Sequence, residues 1–413
     1  MKVTVIGGGF TGCMTALECA RQGHEVSLWE SADQLGGVLL DIKTEHGVYF
    51  NGCQYLRQGS VESLGWPDDF VEFPHEYGGV TALSNKAIRV VDDSAQPSIE
   101  GAAQLLDTTS IKDTALERLN AYGLCATDLI QWAKPFGDLA QLDWRCLIPM
   151  QLSRLHFPED VHVPRLKMES HRADQLLATP RRLRGHKAEP AWLPKAGYAQ
   201  LFVKLEKTLI DLGVNIRLRS PVKPLIETGR LSLQSRREAI HSDAVIWTAN
   251  PQPLIKRLFG KHLDTPPVPM KLLVGDVAHG RPSPMSPPYY WQVFDNTSCV
   301  VRLYVYELGG VMRFSAEAFD TVDNDTAWRD LQRVMQVCGL GDGHKLASVV
   351  KQSRYINFSP SEFKDFETFT PRMLELGVIP GGWQHYGREE KVRHIASLFH
   401  QFSTSFTMAT AHV

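Results

Sequence analysis

The chain has 413 residues, 43% of them hydrophobic, which is enough for more than one core because a single core stops growing near ~250–300 residues. Lysine and arginine total 44 against 46 aspartate and glutamate, a balance that excludes the broad basic field needed to hold nucleic acid or an anionic membrane. Seven scattered cysteines with no C-x-x-C pair argue against a disulfide framework, and no apolar run reaches the roughly 18 residues of a spanning helix, so a cytoplasmic protein with reduced thiols is expected.

Met1-Lys2 leads directly into Val3-Thr4-Val5-Ile6, a β-branched run suited to a strand buried on both faces. Gly7, Gly9 and Gly12 follow as G-x-G-x-x-G around Phe10 and Thr11. Apolar residues at Cys13, Met14, Leu17 and Ala20 then recur at helical spacing until Gly23 stops the helix. A second strand, Glu25 to Trp29, ends on Glu30. The order predicts a dinucleotide-binding βαβ unit. Gly7 makes the tight turn, Gly9 admits a pyrophosphate to the backbone, and Gly12 allows close packing of helix on strand. The unpaired N–H groups at the helix start face the phosphates, and Glu30, 18 residues past Gly12, accepts from a ribose hydroxyl. An acid at that position disfavours a 2′-phosphate. FAD and NAD sites share all of these features.

Gln34-Leu35-Gly36-Gly37 lies within one loop of Glu30, and Gly47-Val48-Tyr49-Phe50-Asn51-Gly52-Cys53-Gln54-Tyr55 follows. Alone, the glycine pair reads equally well as an ordinary turn. The whole order resembles the flavoprotein superfamily that includes amine oxidases, protoporphyrinogen oxidase and UDP-galactopyranose mutase, where a Glu, a Gly-Gly and a "G-x-x-F-x-x-G" strand-turn succeed one another. That resemblance implies FAD as cofactor, with Gly36 and Gly37 beside its far end. It also implies an α/β fold in which a Rossmann-type FAD-binding domain is interrupted by a discontinuous substrate domain of mixed sheet and helix. The FAD-binding segments are expected at 1–60, 190–260 and 345–413, and the substrate-binding and helical lid segments at 61–189 and 261–344.

Between 60 and 190 the signals are mainly helical, at 113–120 and 126–133. The basic run Arg181-Arg182-Leu183-Arg184-Gly185-His186-Lys187 reads either as a solvated face or, by the resemblance, as a loop that folds over an anionic substrate through Arg182 and Arg184. Trp192-Leu193-Pro194-Lys195-Ala196-Gly197-Tyr198 is similar to the superfamily's "P-x-x-G-Y" segment. It is followed by a helical pattern at Leu201, Leu205, Leu209 and Leu212, then by a strand leading to Val222, whose main chain would meet the adenine. Ile240-His241-Ser242-Asp243-Ala244-Val245-Ile246-Trp247-Thr248-Ala249-Asn250-Pro251 is similar to "aDaVIvT-x-P", a strand running back to the nucleotide. The stretches 266–269 and 282–288 are proline-rich and read as rigid connectors.

Strands of the substrate lobe are expected around 272–274, 289–294 and 299–306. In the last of these, Arg302, Tyr304 and Tyr306 share one face. A guanidinium between tyrosines suits a diphosphate and a sugar, and it resembles the mutase strand with a phosphate-binding arginine; the alternative is a solvated face with Arg302 paired to an acid such as Glu307. Tyr289-Tyr290-Trp291 either stacks a base or belongs to the core.

Near the C-terminus, Gly381-Gly382-Trp383-Gln384-His385-Tyr386-Gly387-Arg388 matches the spacing of the mutase flavin-side glycine and "R-x-x-T-Y-R-Y" at Gly381 and Tyr386. The chain departs from that branch elsewhere. The mutase "G-A-H-I-F-H" reads Gly52-Cys53-Gln54-Tyr55-Leu56-Arg57, so both histidines are replaced; Gly382 stands for the arginine, and Arg388 for the second tyrosine. By the resemblance, Gln54, Arg57, His385 and Tyr386 lie nearest the flavin, and Arg388 joins Arg302, Tyr304, Arg182 and Arg184 toward substrate.

No H-E-x-x-H, G-x-S-x-G or Walker loop competes for the chemistry, and the histidines do not fall at metal-ligand spacing, so no metal is expected. The chemistry then belongs to the flavin. Oxidised flavin takes a hydride from a C–H bond, whereas in a mutase the reduced flavin attacks an anomeric carbon. The reading reached is an FAD-dependent oxidoreductase acting on a polar, nucleotide-activated sugar in surface-glycan biosynthesis. Its alternatives are a non-redox mutase, an amine oxidase for a small amine, a non-catalytic FAD-binding module and an NAD-dependent dehydrogenase. A homodimer is expected only because symmetric homo-oligomers are common.

Overall fold

The computed structural model describes residues 1–52, 54–74, 78–81, 89–91, 114–120, 126–147, 190–227, 230–236, 238–263, 266–278, 288–385 and 387–411. Its first layer is a five-stranded parallel sheet whose spatial order is Asn215–Arg217, Glu25–Trp29, Lys2–Ile6, Ala244–Trp247 and Val378–Pro380. Alternation along the strands sends residues to two separate cores, as a sheet covered on both faces requires. Val3, Val5, Leu28, Ala244 and Ile246 meet the helices Phe10–Arg21, Tyr198–Asp211 and Arg388–Ala411. Ile6, Trp29, Val245 and Trp247 meet the helices Gln252–Phe259 and Pro360–Glu375 on the other side. The last of these starts with a capping box, in which Ser359 accepts from the Glu362 N–H and Glu362 returns to the Ser359 N–H. The sheet thus contains strands from three distant parts of the chain, and their C-terminal ends lie together.

The second layer is a seven-stranded sheet in the order Lys345–Arg354, Val268–Asp276, Val311–Phe319, Val300–Leu308, Tyr289–Phe294, Gly78–Thr81 and Arg89–Val91. Neighbours run antiparallel except Tyr289–Phe294 against Gly78–Thr81. Helix Asn324–Val337 covers one face through Ala327, Leu331, Val334 and Met335. The opposite face is polar at its centre, carrying Arg302, Tyr304 and Tyr306 beside Glu317, Ser315 and Arg313 in register. Helices Ala115–Asn120 and Ala126–Ala133 close one end of the sheet, where Trp132 donates to the Val293 carbonyl at 3.0 Å. A small antiparallel sheet joins Leu56–Arg57 and Phe70–Pro74 to Pro190–Pro194.

Each strand expected in the substrate lobe is present, with 289–294 as expected and the other two longer, and both helices are found at the expected places. Strands at Val311–Phe319 and Lys345–Arg354, and the short ones at 70–91, were not expected. The segment 345–354, read with the nucleotide part of the chain, pairs along its length with Val268–Asp276. Pro269, read as part of a connector, is the second residue of that strand. Arg182, Arg184 and the rest of the basic run, the prolines at 282–287, Cys53 and Tyr386 lie outside the described residues. Among the described residues no helix is long and apolar enough to cross a membrane, and no group of three or more His, Cys, Asp or Glu is placed to hold a metal ion.

Candidate functional site

The glycine-rich turn shows why each glycine is there. Gly7 has φ of +104°, and a Cβ on it would lie 2.9 Å from Ala249 N and Thr248 Oγ1. A Cβ on Gly12 would collide with the Gly7 carbonyl, so helix Phe10–Arg21 rests directly on the turn. Gly9 differs: a Cβ there would meet nothing within 4 Å. Gly9 is also the N-cap of the helix and offers no side-chain acceptor, so the N–H groups of the first turn, from Phe10 and Thr11 onward, face the same open side. Glu30 accepts from Gly8 N at 2.6 Å, Ala32 N at 2.7 Å and Ser31 Oγ at 2.9 Å. A carboxylate has about four acceptor positions, which leaves one for a further donor.

Around this turn the predicted cofactor residues assemble by main-chain contacts. Gly36 N donates to Gly8 O at 2.8 Å, and Gly37 packs so that its Cβ would stand 3.3 Å from Gly9 Cα. Ser220 N donates to Glu30 O and Arg219 N to Ala32 O, which brings Val222, the first residue of strand Val222–Glu227, to the Glu30 end of the turn. Thr248 Oγ1 donates to the carbonyls of Ile6 and Gly7 at 2.9 and 3.1 Å. Gly381 lies so close to the Trp247 carbonyl that no side chain fits between them, and Trp383 Nε1 donates to Ala249 O at 3.1 Å.

The turn at Phe50-Asn51-Gly52 leads from this layer to the seven-stranded sheet and is fastened to its polar face. Tyr306 stacks on Phe50 with ring centroids 4.3 Å apart and accepts from Phe50 N at 2.6 Å, while Ser315 Oγ donates to Phe50 O at 2.6 Å. Arg354 donates to Asn51 O at 2.7 Å and pairs with Glu317 at 2.5 Å. Glu317 is 3% exposed; it also accepts from the Tyr355 hydroxyl and faces Arg302 at 3.5 Å. Arg302 Nε donates to Gln292 Oε1 at 3.1 Å. The reading of a solvated face with a Glu307 pair is therefore corrected: the face is buried between the layers, and Glu307 is exposed on the other side.

Of the residues expected near the flavin, Gln54, Arg57 and His385 are described, and each lies beside the start of the C-terminal helix or a partner of it. Arg388, at the start of the C-terminal helix, donates to Gln54 Oε1 and to Tyr55 O, the latter at 3.1 Å, and Gln54 Nε2 donates to Asn51 O. Glu389 accepts from both Ser60 N and Ser60 Oγ, at 2.9 and 3.0 Å, and so caps helix Gln58–Leu64, of which Arg57 is the N-cap. His385 is half-buried, its ring 4.7 Å from that of His394. Burial, the neighbouring His394 and Lys391 hold it below the usual histidine range. Arg302 and Tyr304 lie on the sheet face, with Tyr304 6.5 Å from the Phe50 ring.

Glu317, Arg354, Ser315 and Asn51 were missed from the sequence. The signal existed: Arg313, Ser315 and Glu317 alternate with Phe314, Ala316 and Ala318, a period of two that marks a strand with one polar face. Asp41 was missed as well. It accepts from Ala199 N at 2.8 Å and caps helix Tyr198–Asp211, and burial raises its carboxyl to about 6.

Residues 5–63 match the family model of an NAD(P)-binding Rossmann-like domain. No curated protein sequence matches the chain. Among solved structures, a reduced UDP-galactopyranose mutase superposes with a TM-score of 0.72 at 12% identity, covering 98% of this chain and 94% of that one. A protein from Exiguobacterium sp. 255-15, provisionally called a protoporphyrinogen oxidase, gives 0.64 at 15% identity over 98% of both chains. Wild-type putrescine oxidase bound to putrescine gives 0.63 at 13% identity over 98% of this chain and 99% of that one. The likeness of fold extends over nearly the whole chain.

Proposed function

Starting from a chain with the fold of the FAD-dependent amine oxidase superfamily, we infer that it binds FAD and is an oxidoreductase acting on a polar small molecule, a nucleotide-activated sugar of surface-glycan biosynthesis. The observation that supports FAD most directly is the stacking of two distant segments onto the glycine-rich turn: Thr248 bonds to Gly7 O, and Gly381 lies in turn on Trp247 and Thr248. A nicotinamide domain needs only the turn's own segment. The residues present fit the cofactor. The open side of Gly9 and the uncapped helix start suit the pyrophosphate, the remaining acceptor position of Glu30 suits a ribose hydroxyl, and the main chain at Val222 suits the adenine. Gly36, Gly37 and Gly381 present bare backbone beside the same turn.

Bound FAD supplies hydride-transfer chemistry; the protein positions the substrate and shapes its charge. Arg388 would hold the Gln54 amide at a fixed angle to the flavin, and Arg57 and His385 would face the same end. For the substrate, Arg302 and Tyr304 lie on a face whose charge is organised by Glu317 and Arg354. A diphosphate meeting that face would have to share the arginines with Glu317. A neutral ligand would leave the arginine–Glu317 pairs intact and gain none of the charge-assisted hydrogen bonds, each worth roughly 1.5–3 kcal/mol, that a diphosphate could share.

A second reading, a mutase that needs reduced flavin and gives no net redox change, is favoured by the Gly381 and Tyr386 spacing and opposed by Gln54 and Arg57 at the two histidine positions. Mixing the oxidised and then the anaerobically reduced holoprotein with a panel of sugar nucleotides separates them. Bleaching of the oxidised flavin by one member supports the oxidoreductase. A rearranged sugar with unchanged reduced flavin supports the mutase, and no response to any sugar nucleotide, with bleaching by an amine, contradicts both.

A further inference from the structure

One basic group at the start of helix Arg388–Ala411, Lys391, has no role in the site described so far. Lys391 lies one turn into the helix, its N–H donating to Gly387 O at 3.0 Å. Gly382, with φ of +67°, rests on it so closely that a Cβ would stand 3.2 Å from Lys391 Cα. The side chain is half-buried, and its ammonium meets no carboxylate and no hydrogen-bond acceptor among the described residues. The charged group acting on it is Arg388, three residues earlier on the same helix, and His385, whose ring is packed against His394, lies within its field. Glu390 acts on His385, while Arg388 is turned toward Gln54 and Tyr55. Burial, and to a lesser extent Arg388, push the Lys391 ammonium down to about 8.

The Lys391 stem runs along Gly382, where a Cβ on the glycine would stand 3.4 Å from Lys391 Cβ and Cγ, so the side chain lies against the loop that carries Gly381, and an anion there would offset the field of Arg388. Its place in the fold says which anion. On one side Gly381 touches Trp247 and Thr248, the latter bonded to the glycine-rich turn at Gly7 O; on the other side Arg388 touches the 54–55 segment. Resting on the FAD reading, we propose that Lys391 is a cofactor-binding residue whose ammonium pairs with an anionic group of the bound dinucleotide, either the pyrophosphate or the flavin's pyrimidine ring. The two sources share one chemistry, an anionic oxygen or nitrogen within reach of a lysine.

The test is amine acetylation of the full-length apoprotein with a limiting active ester, read at Lys391 by peptide mass spectrometry, with no addition, with ADP and with FAD. FAD occupancy is measured by absorbance in the same samples. Bound FAD slows acetylation of Lys391 by about 10-fold or more, the protection expected when the amine is held in an ion pair. Protection by ADP as well identifies the pyrophosphate as the partner, and protection by FAD alone identifies the ring. Full FAD occupancy with unchanged acetylation overturns the proposal, and an apoprotein that takes up no FAD overturns the cofactor reading and this inference with it. A second measurement separates pairing from mere covering. Lys391→Met weakens FAD binding by about 10-fold while Lys391→Arg stays within about 3-fold of the parent, as loss or retention of one charge-assisted contact requires. Equal affinity in all three overturns the proposal.

Discussion

Gly9 and Gly12 stand three residues apart and are glycine for opposite reasons. A Cβ on Gly9 would enter open space, and its φ of −70° suits any residue. Gly9→Ala should therefore leave the melting temperature of the apoprotein unchanged while weakening FAD binding by at least ~10-fold, because the methyl occupies the position a pyrophosphate needs. Gly12→Ala drives a methyl into the Gly7 carbonyl, so the apoprotein itself should melt lower. Equal loss of stability in both variants would contradict the division of roles. Asp41 supplies a pH-dependent counterpart. Burial raises its carboxyl to about 6, against the opposing N–H groups of Ala199 and Tyr198 and the charge of Lys43. The folded chain thus holds this proton more tightly than the unfolded one. The stability it contributes is fully present below about pH 4, and is lost as pH rises through the folded value at roughly 1.4 kcal/mol per unit. Asp41→Asn keeps an oxygen for Ala199 N and removes the charge. It should melt above the parent at pH 7.5, and the gap should close toward pH 4; a gap that widens toward acid would refute the assignment.

At the scale of elements, two fastenings hold the candidate site together. The first is the cap that Glu389 places on helix Gln58–Leu64. Glu389→Ala should cost about 1.5–3 kcal/mol in chemical denaturation, the range for hydrogen bonds to a charged acceptor, and Glu389→Gln should recover part of it. The second is Glu317 between Arg354 and Arg302 on the buried sheet face. Removing the acid leaves both guanidinium groups in place around an uncompensated site, so Glu317→Leu should destabilise the fold by about 3–5 kcal/mol. A loss under 1 kcal/mol would mean that the face is wetter than its burial indicates.

These elements also show what the sequence discloses and what it conceals. The strand, turn, helix and acid of residues 3–30 are legible because their chemistry is local: glycines, a helical period and a carboxylate fall in register within one βαβ unit. The strand at 345–354 is concealed because its burial is intermediate along most of its length, with no clean alternation to mark it. Glu317 is concealed for a different reason, since its importance arises from partners 15 and 37 residues away that only strand register brings together. Gln54 and Arg388 were each singled out from a resemblance, yet their contact across 334 residues is a property of the fold alone.

Over the whole molecule, the chain returns to the nucleotide sheet from two distant segments: Ala244–Trp247 pairs with the first strand and is followed by Thr248 on the glycine-rich turn, and Val378–Pro380 pairs with Ala244–Trp247 and is followed by Gly381 against Trp247. Five strands of the seven-stranded sheet are carried between those two returns and two precede the first of them, and the Phe50 turn fastens the polar face of that sheet to the nucleotide layer. On the proposed function, an extended dinucleotide would place its adenine near Val222 and its reactive ring between residues 54–57 and the start of the C-terminal helix. The most direct measurement is the visible absorbance of the purified full-length protein after saturation with FAD and removal of the excess, followed by release and quantification of the chromophore. The account predicts the two visible bands of an oxidised flavin and about one FAD per chain, the stoichiometry of a single turn of this kind. A colourless protein, or one that retains a nicotinamide dinucleotide instead, would contradict it.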